Sequence, residues 1–181
     1  MRRRLLLVVF LVLAGCSFFS KSKSTTYSLD PIAAAAPLAK KGTAVAIETI
    51  ELSPGLDRRE IVVRKANRQL DVRSNDLWPA ALQPVVLHAL AFDLASRLPE
   101  GMVVLPGESR PAAAPRGIDV VFEDLSAGPE NRVTLDARWT LGGVSHHEQI
   151  AIDVPSLDSG AVATGTSQAL AALADRIAAG V

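Results

Sequence analysis

Cysteine is almost missing from this 181-residue chain. The single Cys16 cannot form an internal disulfide, so its thiol is left for reactivity, an intermolecular link or modification. Charge of one sign is missing too, with nineteen Lys and Arg against nineteen Asp and Glu. Without a basic excess to neutralise phosphates, the composition argues against a nucleic-acid role. No long apolar run is present either. Leu5 to Ala14 gives ten apolar residues, a helical rise of about 15 Å against the roughly 30 Å of a hydrocarbon core. A permanent membrane-spanning helix is therefore not expected there.

The signatures of catalysis are also lacking. There is no Gly-x-Ser-x-Gly elbow, phosphate-binding loop, Gly-x-Gly-x-x-Gly or His-Glu-x-x-His. "TGTSQ" at 164–168 lacks the strand-to-helix setting that a nucleophile elbow needs. His146 and His147 beside Glu148 invite a metal reading, but adjacent residues on a strand point to opposite faces and cannot readily ligate one ion. His88 stands alone on a helix, where it is exposed or locally bonded. Trp78 and Trp139 read as core anchors. No enzyme, metal or dissociable cofactor is expected.

What is present begins at the N-terminus. Arg2, Arg3 and Arg4 precede the apolar run, and Gly15 is small enough for a processing site, the pattern of an export signal. Leu13-Ala14-Gly15-Cys16 looks like the bacterial lipobox. That resemblance implies cleavage before Cys16, diacylglycerol on its thiol and an acyl chain on the new amino terminus. A plain signal peptide cut near Gly15 is the alternative. Each buried methylene contributes about 0.8 kcal/mol and one chain holds only marginally, so two or three chains make a stable anchor. Ser17, where aspartate favours retention at the inner membrane in enteric-type sorting, points to the outer membrane.

Removal of residues 1–15, which hold three arginines and no acid, leaves 166 residues and a formal charge of −3. That length suits one domain. "SFFSKSKSTT" at 17–26 is a polar tether of about 33–36 Å when extended. Phe18 and Phe19 within it suit the bilayer interface or are incidental. The organisation is therefore a signal over 1–15, a lipidated N-terminus and tether over 16–26, and a folded domain over 27–181.

Within that domain, "IAAAAPLAKKG" at 32–42 and "PGESRPAAAPRG" at 106–117 read as loops. Strands are predicted over 43–52, in "EIVVR" and "QLDVR" as a hairpin, and in "MVVL" at 102–105. Stronger strands follow over 118–123, 133–141 and 144–154, the last two joined at Gly142-Gly143. Leu82, Val86, Leu90, Leu94 and Leu98 form one ridge of a helix over 81–98. Val162, Thr166, Ala169, Leu173 and Ile177 mark a second from about Ser159, in which Gly165 costs about 1 kcal/mol relative to alanine and so must be held by packing. The expectation is an α+β domain, an antiparallel or mixed sheet with two helices packed on one face, in the order β-β-β-α-β-β-β-β-α.

Taken in order, the lipobox, "YSLDP", "VAIETIELSPGLDRREIVVRKANRQL", "NDLWPAALQPVVLHALAFDLASRL", "IDVVFEDLSAGPENRVTLDARWTL" and a final "ALAALADRIA" resemble the ABC-type transport auxiliary lipoproteins. That family includes the lipoprotein of the paraquat-inducible intermembrane transport system. The likeness spans about residues 27–179. Ser28 departs from it where a second aromatic is common, and 106–117 does not align. The resemblance implies a non-catalytic accessory subunit of a transporter that pairs an ABC ATPase and permease with an MCE-domain protein. Its place would be the periplasmic side of the envelope, its partners the MCE assembly and the membrane, and a homo-oligomer is compatible with such multimeric partners. Leu56, Asp57, Arg58 and Arg59 in the "SPGLDRR" turn, with the hairpin edge beside them, are the candidate partner contacts, although each taken singly reads more readily as part of a solvated loop. The competing readings are a stand-alone lipid carrier, which needs an enclosed apolar pocket of several hundred Å³ between helix and sheet, and a structural envelope lipoprotein.

Overall fold

The computed structural model of the protein describes residues 23–109 and 111–181. The signal, the lipobox, Cys16, Ser17 and the Phe18-Phe19 pair lie outside them. The elements run β1 (Thr25–Thr26), β2 (Val45–Leu52), β3 (Glu60–Arg64), β4 (Leu70–Leu77), α1 (Leu82–Arg97), β5 (Arg116–Gly128), β6 (Arg132–Leu141), β7 (Val144–Asp153) and α2 (Ser159–Gly180). They form one mixed sheet in the order β1-β4-β3-β5-β6-β7, with β2 also on β5. Both helices lie against one face of it, as the periodicity predicts.

Strand β5 organises the sheet. One edge pairs antiparallel with β6 from Ile118 to Gly128. The other edge takes β2 in parallel from Arg116 to Phe122, then β3 at Val63↔Ala127. Its alternation drives Ile118, Val120 and Phe122 into the core, and an extra residue at Glu123 shifts the register before Leu125. In β6 the same period-two pattern buries Val133, Leu135, Ala137, Trp139 and Leu141. Gly142 and Gly143, at φ 59° and 81°, close the β6–β7 hairpin with the two left-handed residues that a tight type I′ turn requires.

Two details differ from the sequence expectation. Residues 102–105 make a single bridge, Val45↔Val103, flanked by Val45 N donating to Met102 O at 2.8 Å and Val104 N donating to Val45 O at 2.9 Å. Pro99 and Gly101 before it and Pro106 after it leave no room for a longer strand. Thr25 and Thr26, assigned to the tether, instead form β1, paired in parallel with Asp76 and Leu77, and Tyr27 N donates to Leu77 O at 2.8 Å. The outer edge of β4 offered unpaired backbone groups there, so the folded body begins before Tyr27.

The ridge of α1 is buried from Leu82 to Leu98. Ala81 provides no side-chain cap, whereas α2 is capped locally by Asp158 Oδ1, which accepts from Ala161 N at 2.9 Å. Gly165 explains itself by close approach. A Cβ there would lie 2.5 Å from Val154 Cγ1 and 2.8 Å from Val133 Cγ2, so only glycine lets α2 sit this close to the sheet.

Residues 28–40 cross both helices as a strap. Leu29 is buried; Asp30 N donates to Ser167 Oγ at 3.1 Å, Ile32 N to Asp93 Oδ1 at 2.5 Å and Ala34 N to Ser96 Oγ at 3.1 Å. Arg97 donates to Ile32 O at 3.0 Å and to Asp175 Oδ1 at 2.6 Å, which ties strap, α1 and α2 together. Asp93 is wholly buried and its Oδ2 has no hydrogen-bond partner. Burial pushes its carboxyl up to about 6, against the lowering effects of the Ile32 amide and the Arg97 guanidinium.

Two outcomes follow from this packing. Gly165→Ala gains about 1 kcal/mol of helix propensity but overpacks against two valines, giving a net loss of about 1–2 kcal/mol that a lowered urea midpoint would reveal. For Asp93 the folded state binds the extra proton between its own value of about 6 and the unfolded value of 3.8. Stability therefore rises as pH falls through that window, by up to about 3 kcal/mol, and the gain is absent above it. Denaturation of Asp93→Asn at pH 7 and pH 5 should show this component of the pH dependence removed.

Candidate functional site

The turn between β2 and β3 is held by the sheet. Ser53 N donates to Phe122 O at 3.2 Å, Ser53 Oγ to Glu123 O at 2.5 Å and Leu56 N to Ser53 O at 3.1 Å. Gly55, at φ 90°, supplies the left-handed residue at the bend. The four candidate contact residues then divide. Leu56 is only 7% exposed and lines a small void together with Trp78, Leu82 and Val162, so little of its side chain faces solvent. Asp57 Oδ1 accepts from Gln83 N at 2.9 Å and thus caps the start of α1 from 26 residues away, the function Ala81 cannot perform. Arg58 is half-buried, with its Nε 3.4 Å from Glu60 Oε2. Arg59 is exposed, and its carbonyl accepts from Trp78 N at 2.6 Å. Arg58 and Arg59 are the cationic side chains of the turn that reach solvent.

The hairpin edge is partly open. Among the described residues β1 covers β4 only at Asp76 and Leu77, leaving 70–75 without a strand neighbour on that side. Leu70 and Val72 there are 48% and 40% exposed. An unpaired edge with apolar side chains is competent for strand addition.

The face of the sheet turned away from the helices is polar. Glu123, Asp136 and His147 bring ligand atoms within 4.8 Å of one another, on β5, β6 and β7. The groups are already paired: His147 Nε2 lies 2.7 Å from Asp136 Oδ1, Gln149 Nε2 donates to Asp136 Oδ2 at 2.8 Å, and Arg138 Nε donates to Glu123 Oε1 at 2.6 Å. The hydrogen bond from His147 is the main reason the Asp136 carboxyl lies below its usual range. A cation entering here would have to displace Arg138 from Glu123, so the cluster reads as a cross-strand ladder. The two adjacent histidines do face opposite ways. His146 stacks on Trp139, with ring centroids 4.0 Å apart and planes 9° from parallel, while His147 joins the polar face. His88 packs against Phe92 at 4.4 Å. Trp78 and Trp139 are both buried anchors.

The interface between helices and sheet is filled. A void of about 20 Å³ lies there beside Leu56, Trp78, Leu125 and Val162, far too small for a lipid chain. Larger spaces lie outside, on either side of the strap. One of about 370 Å³ runs between residues 28–31 and the start of α1, and another of about 400 Å³ runs between Thr26–Ile32 and α2. Neither groove nor the Asp93–Arg97–Asp175 clasp was signalled by the sequence. Asp93 and Arg97 stand four apart on α1, a spacing that reads as a surface ion pair until the strap is placed over it.

A family model described as the ABC-type transport auxiliary lipoprotein component matches residues 27–178. No curated protein matches the chain. Among solved structures, an uncharacterized protein superposes with a TM-score of 0.70 at 13% identity, covering 88% of this chain and 99% of its own. Protein XCC0632 from Xanthomonas campestris, of the DUF330 family model, does so with a TM-score of 0.65 at 15% identity, covering 86% and 93%. At these identities the likeness is one of fold.

The division within the turn is measurable. Asp57→Ala should lower stability by about 1 kcal/mol through loss of the α1 cap, whereas Arg58→Ala and Arg59→Ala should each stay within about 0.5 kcal/mol of the parent in urea denaturation.

Proposed function

The chain belongs to the ABC-type transport auxiliary lipoprotein component family, and from that membership we propose that it is a non-catalytic, lipid-anchored subunit that docks an MCE-domain assembly at the outer membrane. In this reading Cys16 carries diacylglycerol and an N-acyl chain, and the folded body stands on the periplasmic side of the envelope. Lipid or another hydrophobic substrate passes through the partner complex. No cofactor beyond the acyl groups is involved.

One observation carries the docking role against the carrier role. A protein that encloses a lipid needs an interior apolar space of several hundred Å³, yet the side chains of both helices and the sheet form one buried apolar cluster, and the void beside Leu56 and Trp78 measures about 20 Å³. A filled core suits a rigid body whose outer surface is its working part. The contact surface we assign comprises the Arg58 and Arg59 guanidinium groups and the open edge of β4 over 70–75. In an extended partner strand, main-chain hydrogen bonds would supply affinity and the flanking arginines orientation.

Affinity capture of the lipidated protein from detergent-solubilised envelopes tests this. The expected result is co-recovery of an MCE-domain protein, reduced about tenfold when Arg58→Glu and Arg59→Glu are combined, a loss of about 1.4 kcal/mol. Capture without any MCE-domain protein, or an intact mass showing Cys16 unmodified, would count against the reading.

A further inference from the structure

We propose that the groove between residues 28–31 and the start of α1 holds an aliphatic chain of a bilayer lipid, seating the body against the membrane beside its own anchor. The inference rests on Cys16 being acylated. Its walls carry the argument. Leu29, Pro31, Pro79, Ala80, Pro84 and Val85 bound about 370 Å³ of open groove. Three of these are prolines, which have no N–H to donate, so the walls offer little to the backbone of a peptide.

The start of α1 would ordinarily present free amide donors to an anion. Here Pro84 has none and the Gln83 amide is taken by Asp57 Oδ1 at 2.9 Å. Of the polar side chains in the lining, Ser28 Oγ donates to Asp30 Oδ1 at 2.7 Å, and the His88 ring packs against Phe92. Beside Ser28, Asp30 and His88 the lining is apolar, with three prolines, Leu29, Ala80 and Val85, which fits a hydrocarbon chain lying along those six better than a peptide or a phosphate. The polar groove on the other side of the strap, with Thr26, Ser28, Thr164 and Ser167 in its lining, lacks this character.

Position supports the same occupant. The groove wall begins at Ser28, two residues after the end of β1, and eight residues, 17–24, separate Cys16 from β1. Fully extended, the nine steps from Cys16 to Thr25 reach about 30 Å, short enough for the groove to lie within reach of the bilayer surface. Once the body is tethered, contact with lipid is effectively intramolecular, so even a weak site is occupied.

The test uses the full lipidated chain in vesicles of phosphatidylethanolamine and phosphatidylglycerol doped with a phospholipid bearing a diazirine at the end of one acyl chain. Photolysis followed by peptide mass spectrometry should place adducts on Pro84, Val85 or His88. Val85→Glu and, separately, Ala80→Glu should reduce them about tenfold, since a carboxylate in the trough opposes a hydrocarbon occupant by 1.4 kcal/mol or more. The two variants guard against a folding defect in either, and each is checked by its urea midpoint. Adducts confined to residues 16–23, or cross-links joining a second copy or another protein through the groove, would overturn the proposal. The intact mass of the same sample separates the two readings: an unmodified Cys16 removes the anchor and this inference together, whereas an acylated chain without groove adducts removes only the inference.

Discussion

Strand β5 is bonded along both edges, and the rest of the domain takes its position from that constraint. A strand has two rows of backbone groups, and each row must be satisfied when buried. β6 occupies one row throughout, while β2 and then β3 share the other. Because β2 and β3 meet different stretches of β5, the turn between them has to cross from one stretch to the next. The SPGLDRR segment makes that crossing. Ser53 bonds to the β5 carbonyls at Phe122 and Glu123, where the extra residue already bends the strand.

The same crossing explains why the turn is rich in residues with internal duties. Leu56 is turned inward, and Asp57 reaches the uncapped start of α1. A distant cap couples turn, strand and helix into one unit. The C-terminal half of α1 is fixed differently, by Arg97 holding Asp175 of α2 and the strap carbonyl of Ile32. Its buried neighbour Asp93 is kept because it satisfies the Ile32 amide, at the cost of a raised carboxyl value of about 6.

These attachments leave little interior freedom and several external features. The core is filled, the polar sheet face is laced by cross-strand pairs, and the open features are an edge, two arginines and a trough beside the strap. That distribution agrees with membership in a family of transport auxiliary lipoprotein components. Anchor, tether and trough would set where the body sits, while edge and arginines would set what it holds.

Periodicity in the chain was sufficient for the helices, β6 and β7, and for the first half of β5; beyond the extra residue at Glu123 that strand runs on to Gly128, past the predicted end at 123. Each of these buries one face along its length, so apolar residues recur at 3.6 or 2 and mark the element without reference to anything distant. The α+β class and the burial of Trp78 and Trp139 follow from the same local signal. The opposed directions of His146 and His147 follow from strand geometry alone. Other features depended on partners far away in sequence. Thr25 and Thr26 became a strand because β4 had a free edge at Asp76 and Leu77. Asp57, exposed and charged, resembled a solvated turn until Gln83 came within 2.9 Å of it. Asp93 and Arg97 resembled a surface pair until residues 28–40 closed over them. Local pattern reports which way a side chain faces; what it meets there is decided only when remote segments pack together, and that is where the candidate site lies.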